Sequence, residues 1–142
     1  MPATSDVEPE TIRAYEETHY WVEAPDPFRF EVGQYSQPLA ALHHSHGVRS
    51  SAFIAAFNPY SKRCNEAENL RRQAALAEEL RALGRPFLAG MGKHPSGHWP
   101  GEASFLVLGL SQPRARALGE RHEQNALIWI DDSAVPRLML LR

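Results

Sequence analysis

A chain of 142 residues with 43% hydrophobic and 23% charged residues has the balance of one globular domain with a sizeable core, which excludes a disordered segment. Lys and Arg number 15 against 17 Asp and Glu, and no basic stripe with interleaved aromatics can be traced, so a nucleic-acid partner is not expected. The single cysteine, Cys64, excludes an intrachain disulfide; with a polar, acidic start and no apolar run near membrane length, the expectation is a cytoplasmic protein without a membrane partner.

Residues 1–10 read as a frayed N-terminus, with nothing apolar in 1–8 to bury, and residues 11–142 as a single α+β domain. A short helix is expected from Pro9 to Glu17, where Ile12 and Tyr15 share one side. His19 to Glu23 and Phe28 to Val32 alternate as strands around a Pro-Asp-Pro turn. Ser36 can cap a helix over Gln37 to His46 that stops at Gly47. Ser50 to Phe57 is nearly all apolar and suits a central strand, ending in the turn Asn58-Pro59-Tyr60-Ser61.

The longest helix is expected from Asn65 to Leu83, with Asn65 and Glu68 in capping-box spacing and Gly84 as the stop. Strands follow at 85–90 and 104–110, joined by a long Gly- and Pro-rich loop. Ser111 caps a helix through His122, and strands at 126–130 and 137–141 close the chain. Strands both alternate with helices and follow one another directly. The expected architecture is therefore a mixed β-sheet with three or four helices packed on it as a single-layer α/β sandwich.

The long helix carries the strongest hint of a site. At 100° per residue, Leu76, Ala77, Leu80 and Leu83 share one arc and Glu68, Arg71, Glu78 and Glu79 lie opposite. Asn69 and Gln73 fall near the middle of the apolar arc, with Glu66 toward its edge. A buried amide without partners costs on the order of 1–3 kcal/mol, so a network, backbone groups, water or a ligand must satisfy them. The alternative is that these amides face water at the rim of the sheet.

The loop 90–102 is the second candidate, because it gathers Lys93, His94, His98, Trp99 and Glu102. It fits no phosphate motif, since Phe87, His94 and Pro95 occupy positions that a Walker or dinucleotide pattern gives to other residues. Gln124 and Asn125 are third; Asn125 in the left-handed region would end the preceding helix, and the other amide could reach a ligand. His43, His44 and His46 cluster without a Cys pair, and a helix C-terminus favours His anyway, so neither a metal nor a cofactor is expected. Cys64 beside Arg63 is a weak nucleophile candidate.

The stretches Ala14-Tyr15, Thr18, Tyr20 and Val22, Ala52-Phe53-Ile54, Asn58-Pro59, Glu68-Asn69, Gln73, Trp99-Pro100-Gly101-Glu102, Ser104 to Gly109 and Gln124-Asn125-Ala126 together resemble a bacterial family, domain of unknown function 3293. The resemblance runs from about residue 12 to the end. It implies a self-contained domain and brings no activity, cofactor or catalytic residue with it. The family pattern has Phe-Gly before the Gln-Asn pair, where this chain has His122-Glu123, which implies an altered turn before the next buried strand.

Two functions are carried forward. One is a small-molecule site for an anionic or nucleotide-like ligand, built from Asn58, Asn69, Gln73, Lys93, Trp99, Glu102, Gln124 and Asn125. Any acid–base chemistry there would fall to Glu102, Glu66, His94 or His98, because amides cannot supply it. On this reading Asn69→Ala and Gln73→Ala should spare the fold and remove ligand binding. The other is a protein-interaction module, monomeric or homodimeric, using the edge strand Phe28 to Val32 and Trp21.

Overall fold

The computed structural model describes residues 5–97 and 101–142. Among these, the order is α1 (Pro9–Glu17), β1 (His19–Val22), β2 (Phe28–Phe30), α2 (Gln37–Ser45), β3 (Ser51–Ile54), α3 (Glu66–Leu83), β4 (Phe87–Lys93), β5 (Glu102–Leu108), α4 (Gln112–Arg121), β6 (Ala126–Ile130) and β7 (Pro136–Leu140). A single 3-10 turn, Pro59–Ser61, separates β3 from α3. The α+β class and the element order follow the sequence reading.

Local chemistry sets the helix ends. The side chains of Ser36, Asn65 and Ser111 accept from the backbone N–H of Leu39, Glu68 and Arg114. Gly84 ends α3 in the left-handed conformation, φ 70°.

The seven strands form one sheet in the order β2-β1-β4-β5-β3-β6-β7. Every pairing is antiparallel, not mixed as the sequence reading expected. The reason is topological: each helix leads the chain to a strand that docks antiparallel to its neighbours, so no parallel crossover forms.

The sheet curls. Tyr20 of β1 and Phe53 of β3 have ring centroids 5.4 Å apart, although β4 and β5 lie between their strands. A flat sheet would separate those strands by about 14 Å, three inter-strand spacings. Gly90 makes room for the contact: a Cβ there would sit 2.7 Å from the Phe53 ring and 2.5 Å from the Trp21 carbonyl oxygen.

Helices cover both faces rather than one. On the convex face, Leu76 and Leu80 of α3 and Ala115 and Leu118 of α4 pack on Ile54, Val107 and Leu127. On the concave face, Leu39 of α2 packs with Phe30, Leu106, Leu108 and Ile130. His43 of α2 is buried there too and shares a 2.8 Å hydrogen bond with Ser51 Oγ. Burial lowers its pKa from the ordinary histidine value, with Asp131 and Asp132 acting in the opposite sense.

The segment after β2 ties the two sheet edges together. Gly33 N–H donates to Pro136 O at 2.8 Å and Ser36 N–H to Ala134 O at 2.9 Å. That closes the concave side at the α2 end. At the other end α1 runs as a strap: Ser5 Oγ donates to the Arg142 carbonyl past β7, and Thr18 leads straight into β1. Val7 is buried, so residues 5–8 contribute an apolar contact that the sequence reading did not expect.

Candidate functional site

Where α1 crosses the concave face, a groove of ≈ 640 Å³ remains. Such a volume falls within the range of small-molecule sites, which recur at the mouths of curled sheets and barrels. Its floor comes from the inward-facing positions of five strands: Tyr20, Gly92, Glu102, Ser104, Phe53 and Ile128. Glu10, Thr11, Ala14 and Tyr15 line it from α1, and Arg63 and His94 stand at its sides.

The inward face of β5 shows why the groove forms. Residues of one parity share a face of a strand, so Glu102, Ser104, Leu106 and Leu108 point the same way. Leu106 and Leu108 meet α2 in the core, whereas Glu102 and Ser104 lie under α1. One strand thus passes from core to site along its length.

Glu102 is the titratable group at the polar end. Burial raises its pKa from the ordinary carboxyl value, partly offset by the hydrogen bond from Asn58. Asn58 Nδ2 donates to Glu102 Oε2 at 3.3 Å. The nearby hydroxyls are engaged elsewhere: Ser104 Oγ donates to the Glu102 carbonyl, and Tyr20 Oη donates to the Tyr15 carbonyl at 2.6 Å. Burial likewise raises the Tyr20 pKa.

The amides of α3 reach this site from behind. Asn69 and Gln73 are buried, 6% and 8% exposed, as the helical phase implied. Gln73 Oε1 accepts from Ala56 N–H at 3.1 Å, and Asn69 Oδ1 accepts from Asn58 N–H at 2.9 Å. Asn69 Nδ2 donates to Asn58 Oδ1 at 3.0 Å, and the same oxygen accepts from Cys64 N–H. Gln73 Nε2 is buried and has no hydrogen-bond partner among the described residues.

These bonds all converge on the chain leaving β3. Gln124 Nε2 donates to the Phe57 carbonyl, Tyr60 N–H donates to the Glu123 carbonyl, and the Arg142 guanidinium lies 4.2 Å from the Tyr60 ring centre. Asn58 and Tyr60 both have positive φ, 47° and 53°. For a bulky residue such as Tyr60 that conformation is costly and persists only where the surroundings over-determine it. Asn69 thus holds Asn58 on the strained rim of the groove, and Gln73 holds Ala56 two residues before it.

The expected site residues therefore separate. Asn58, Glu102, His94 and Gln124 line the groove. Asn69 and Gln73 do not line it and act through Asn58 and the backbone. Lys93 neighbours groove-lining Gly92 on β4, so strand alternation turns it to the opposite face, where it cannot offset ligand charge. Glu66 is exposed in the first turn of α3 and stands outside the groove. Asn125 ties down the C-terminus instead: its carbonyl accepts from Leu141 N–H and its Oδ1 from Arg142. His98 and Trp99 lie outside the described residues.

The left-handed residue after α4 is Glu123, φ 56°, rather than Asn125. Its N–H donates to Glu120 O and the Gln124 N–H to Gly119 O, the paired bonds of a Schellman ending. His94 hydrogen-bonds through Nε2 to Glu17 of α1 and through Nδ1 to Ser96. No group of three or more His, Cys, Asp or Glu among the described residues could hold a metal ion.

Sequence reasoning missed Tyr20, Phe53, Arg63, Ser104 and the polar face of α1. The alternation Glu102-x-Ser104-x-Leu106-x-Leu108 carried a usable signal. The opposition of β1 and β3 across a curled sheet carried none.

Fold and site together define an α+β domain whose curled antiparallel sheet holds an organic-molecule-sized groove with Glu102 on its floor. The chain belongs to the family described as Protein of unknown function (DUF3293), whose model matches residues 54–127. That span encloses Asn58, Asn69, Gln73, Glu102 and Gln124. No curated protein and no solved structure matches the chain. No helix among the described residues is long and apolar enough to cross a membrane.

Proposed function

We propose that this domain binds a small organic molecule in the groove beneath α1, with Glu102 at the polar end. One observation carries the reading: a ≈ 640 Å³ space in the concave face, lined by the aromatic side chains of Tyr20, Phe53 and Phe57, has the carboxyl group of Glu102 on its floor. A groove of this size beside a pinned, strained rim has the dimensions of a small-molecule site. A carboxyl group with a raised pKa is also suited to exchanging a proton with what it binds, which is how the same site would serve catalysis. Cys64, the single cysteine, is free, in keeping with a cytoplasmic bacterial setting.

The test is a thermal-shift screen of small organic molecules against the wild-type chain and Ala55→Trp, which would fill the groove. A ligand of the native state raises the melting temperature of the wild type. The expected hits lose their effect on Ala55→Trp. Hits that shift a folded Ala55→Trp equally would place binding elsewhere and sink the proposal.

A second reading has its own observation. β2 is an edge strand, and Trp21 on neighbouring β1 is 39% exposed beneath the Arg29 guanidinium. An unpaired edge with an exposed indole favours a homodimer, and light scattering of wild type against Trp21→Ala decides it.

A further inference from the structure

We infer that the groove takes a small organic cation: an ammonium group seated on Glu102, carried by an apolar body that lies against Tyr20, Phe53 and Phe57. The inference rests on the groove being a ligand site, and it names the class of ligand.

The argument starts from what Glu102 lacks. An ionised carboxylate accepts up to about four hydrogen bonds. Among the described residues Glu102 receives one, at 3.3 Å, from the neutral amide of Asn58, and forms no ion pair. The two hydroxyls best placed to help, on Ser104 and Tyr20, donate to backbone carbonyls. A half-buried carboxylate without a cation is unfavourable, and its desolvation moves the Glu102 equilibrium toward the neutral acid. A ligand with a positive charge and several N–H donors supplies both missing elements.

The walls agree with that choice. Aromatic faces attract cations through the ring quadrupole, and Tyr20, Phe53 and Phe57 all line the groove. An anionic ligand would meet the carboxylate of Glu102 without help from Lys93, which lies on the opposite face of the sheet. Arg63, the guanidinium at the groove, is exposed and stands at its side. The Asn69–Asn58–Glu102 chain of hydrogen bonds then acquires a purpose. It fixes the carboxylate from behind and leaves its remaining acceptor positions to the groove.

Calorimetric titration of the full chain with three probes of one shape tests the inference: 2-phenylethylamine, 2-phenylethanol and 3-phenylpropionate. The amine should bind tightest. Glu102→Gln should weaken it by about tenfold to a hundredfold while holding the alcohol within about twofold, which also shows that the variant is folded. Amine binding should fade as pH drops through the raised pKa of Glu102, because the neutral acid loses the charge pairing. If 3-phenylpropionate binds as well as the amine, or if Glu102→Gln leaves the amine unaffected, the ligand class is wrong although the groove stands. If the wild type binds none of the three, the groove reading fails and takes the inference with it.

Discussion

α1 and α2 are both nine residues long, both begin with a proline in the first turn, and both lie on the concave face of the sheet. α2 buries Leu39 and His43 and is capped by the Ser36 side chain, whereas α1 buries no residue and has no side-chain cap. The difference lies in what each helix offers the sheet. α2 presents a leucine that fills the space between Phe30 and Ile130. α1 presents Glu10, Thr11, Ala14 and Tyr15, which roof the space without filling it. One helix completes a core and the other covers a site.

Substitution can break or sharpen that contrast. The largest effect is expected from Leu39→Ala. Leu39 is fully buried, and truncation of such a leucine costs about 2–5 kcal/mol. Ile12→Ala on half-buried α1 should cost less than about 1 kcal/mol, and urea denaturation of both variants measures the gap. Comparable losses would make α1 part of the core and remove the distinction.

Next comes Asn69→Ala. It strips the acceptor from Asn58 N–H and the donor to Asn58 Oδ1, so a loss of about 1–3 kcal/mol is expected by the same measurement. This replaces the sequence expectation that the amide is dispensable to the fold. An unchanged midpoint would show that the rim beside α1 does not depend on α3.

The smallest effect should be a gain. Glu123→Gly relieves a left-handed conformation that costs a side-chain-bearing residue about 1–2 kcal/mol, against roughly 0.5–1 kcal/mol of added freedom in the unfolded chain. The exposed pair with Arg72, at 3.6 Å, contributes little. A net stabilisation of about 0.5–1 kcal/mol should appear as a higher melting temperature, and a destabilised variant would mean that the Arg72 pair outweighs the backbone strain.

Much of the secondary structure and part of the site were legible from residues alone. The caps at Ser36, Asn65 and Ser111 and the inward phase of Asn69 and Gln73 were read correctly, because caps and helical period depend on neighbours within one or two turns. Glu102 stood out as a carboxylate in a loop between two strands, though it proves to be the first residue of β5. Lys93 was misplaced for a related reason. Once β4 extends to residue 93, alternation decides its face, and the sequence marks that boundary poorly.

By itself, the sequence determined that the chain folds as α+β, in what order its elements come, and that Asn69 and Gln73 share the apolar arc of α3. Those properties follow from periodicity and capping, which act over short stretches of chain. Only the tertiary structure decided that Asn69 and Gln73 would accept hydrogen bonds from the chain leaving β3 and stand outside the groove lining. It also decided that Tyr20 would meet Phe53 across two intervening strands, and that the space under α1 would stay open around Glu102. Pairing partners far apart in the chain and the curl of a sheet are collective outcomes of packing, and no local pattern encodes them.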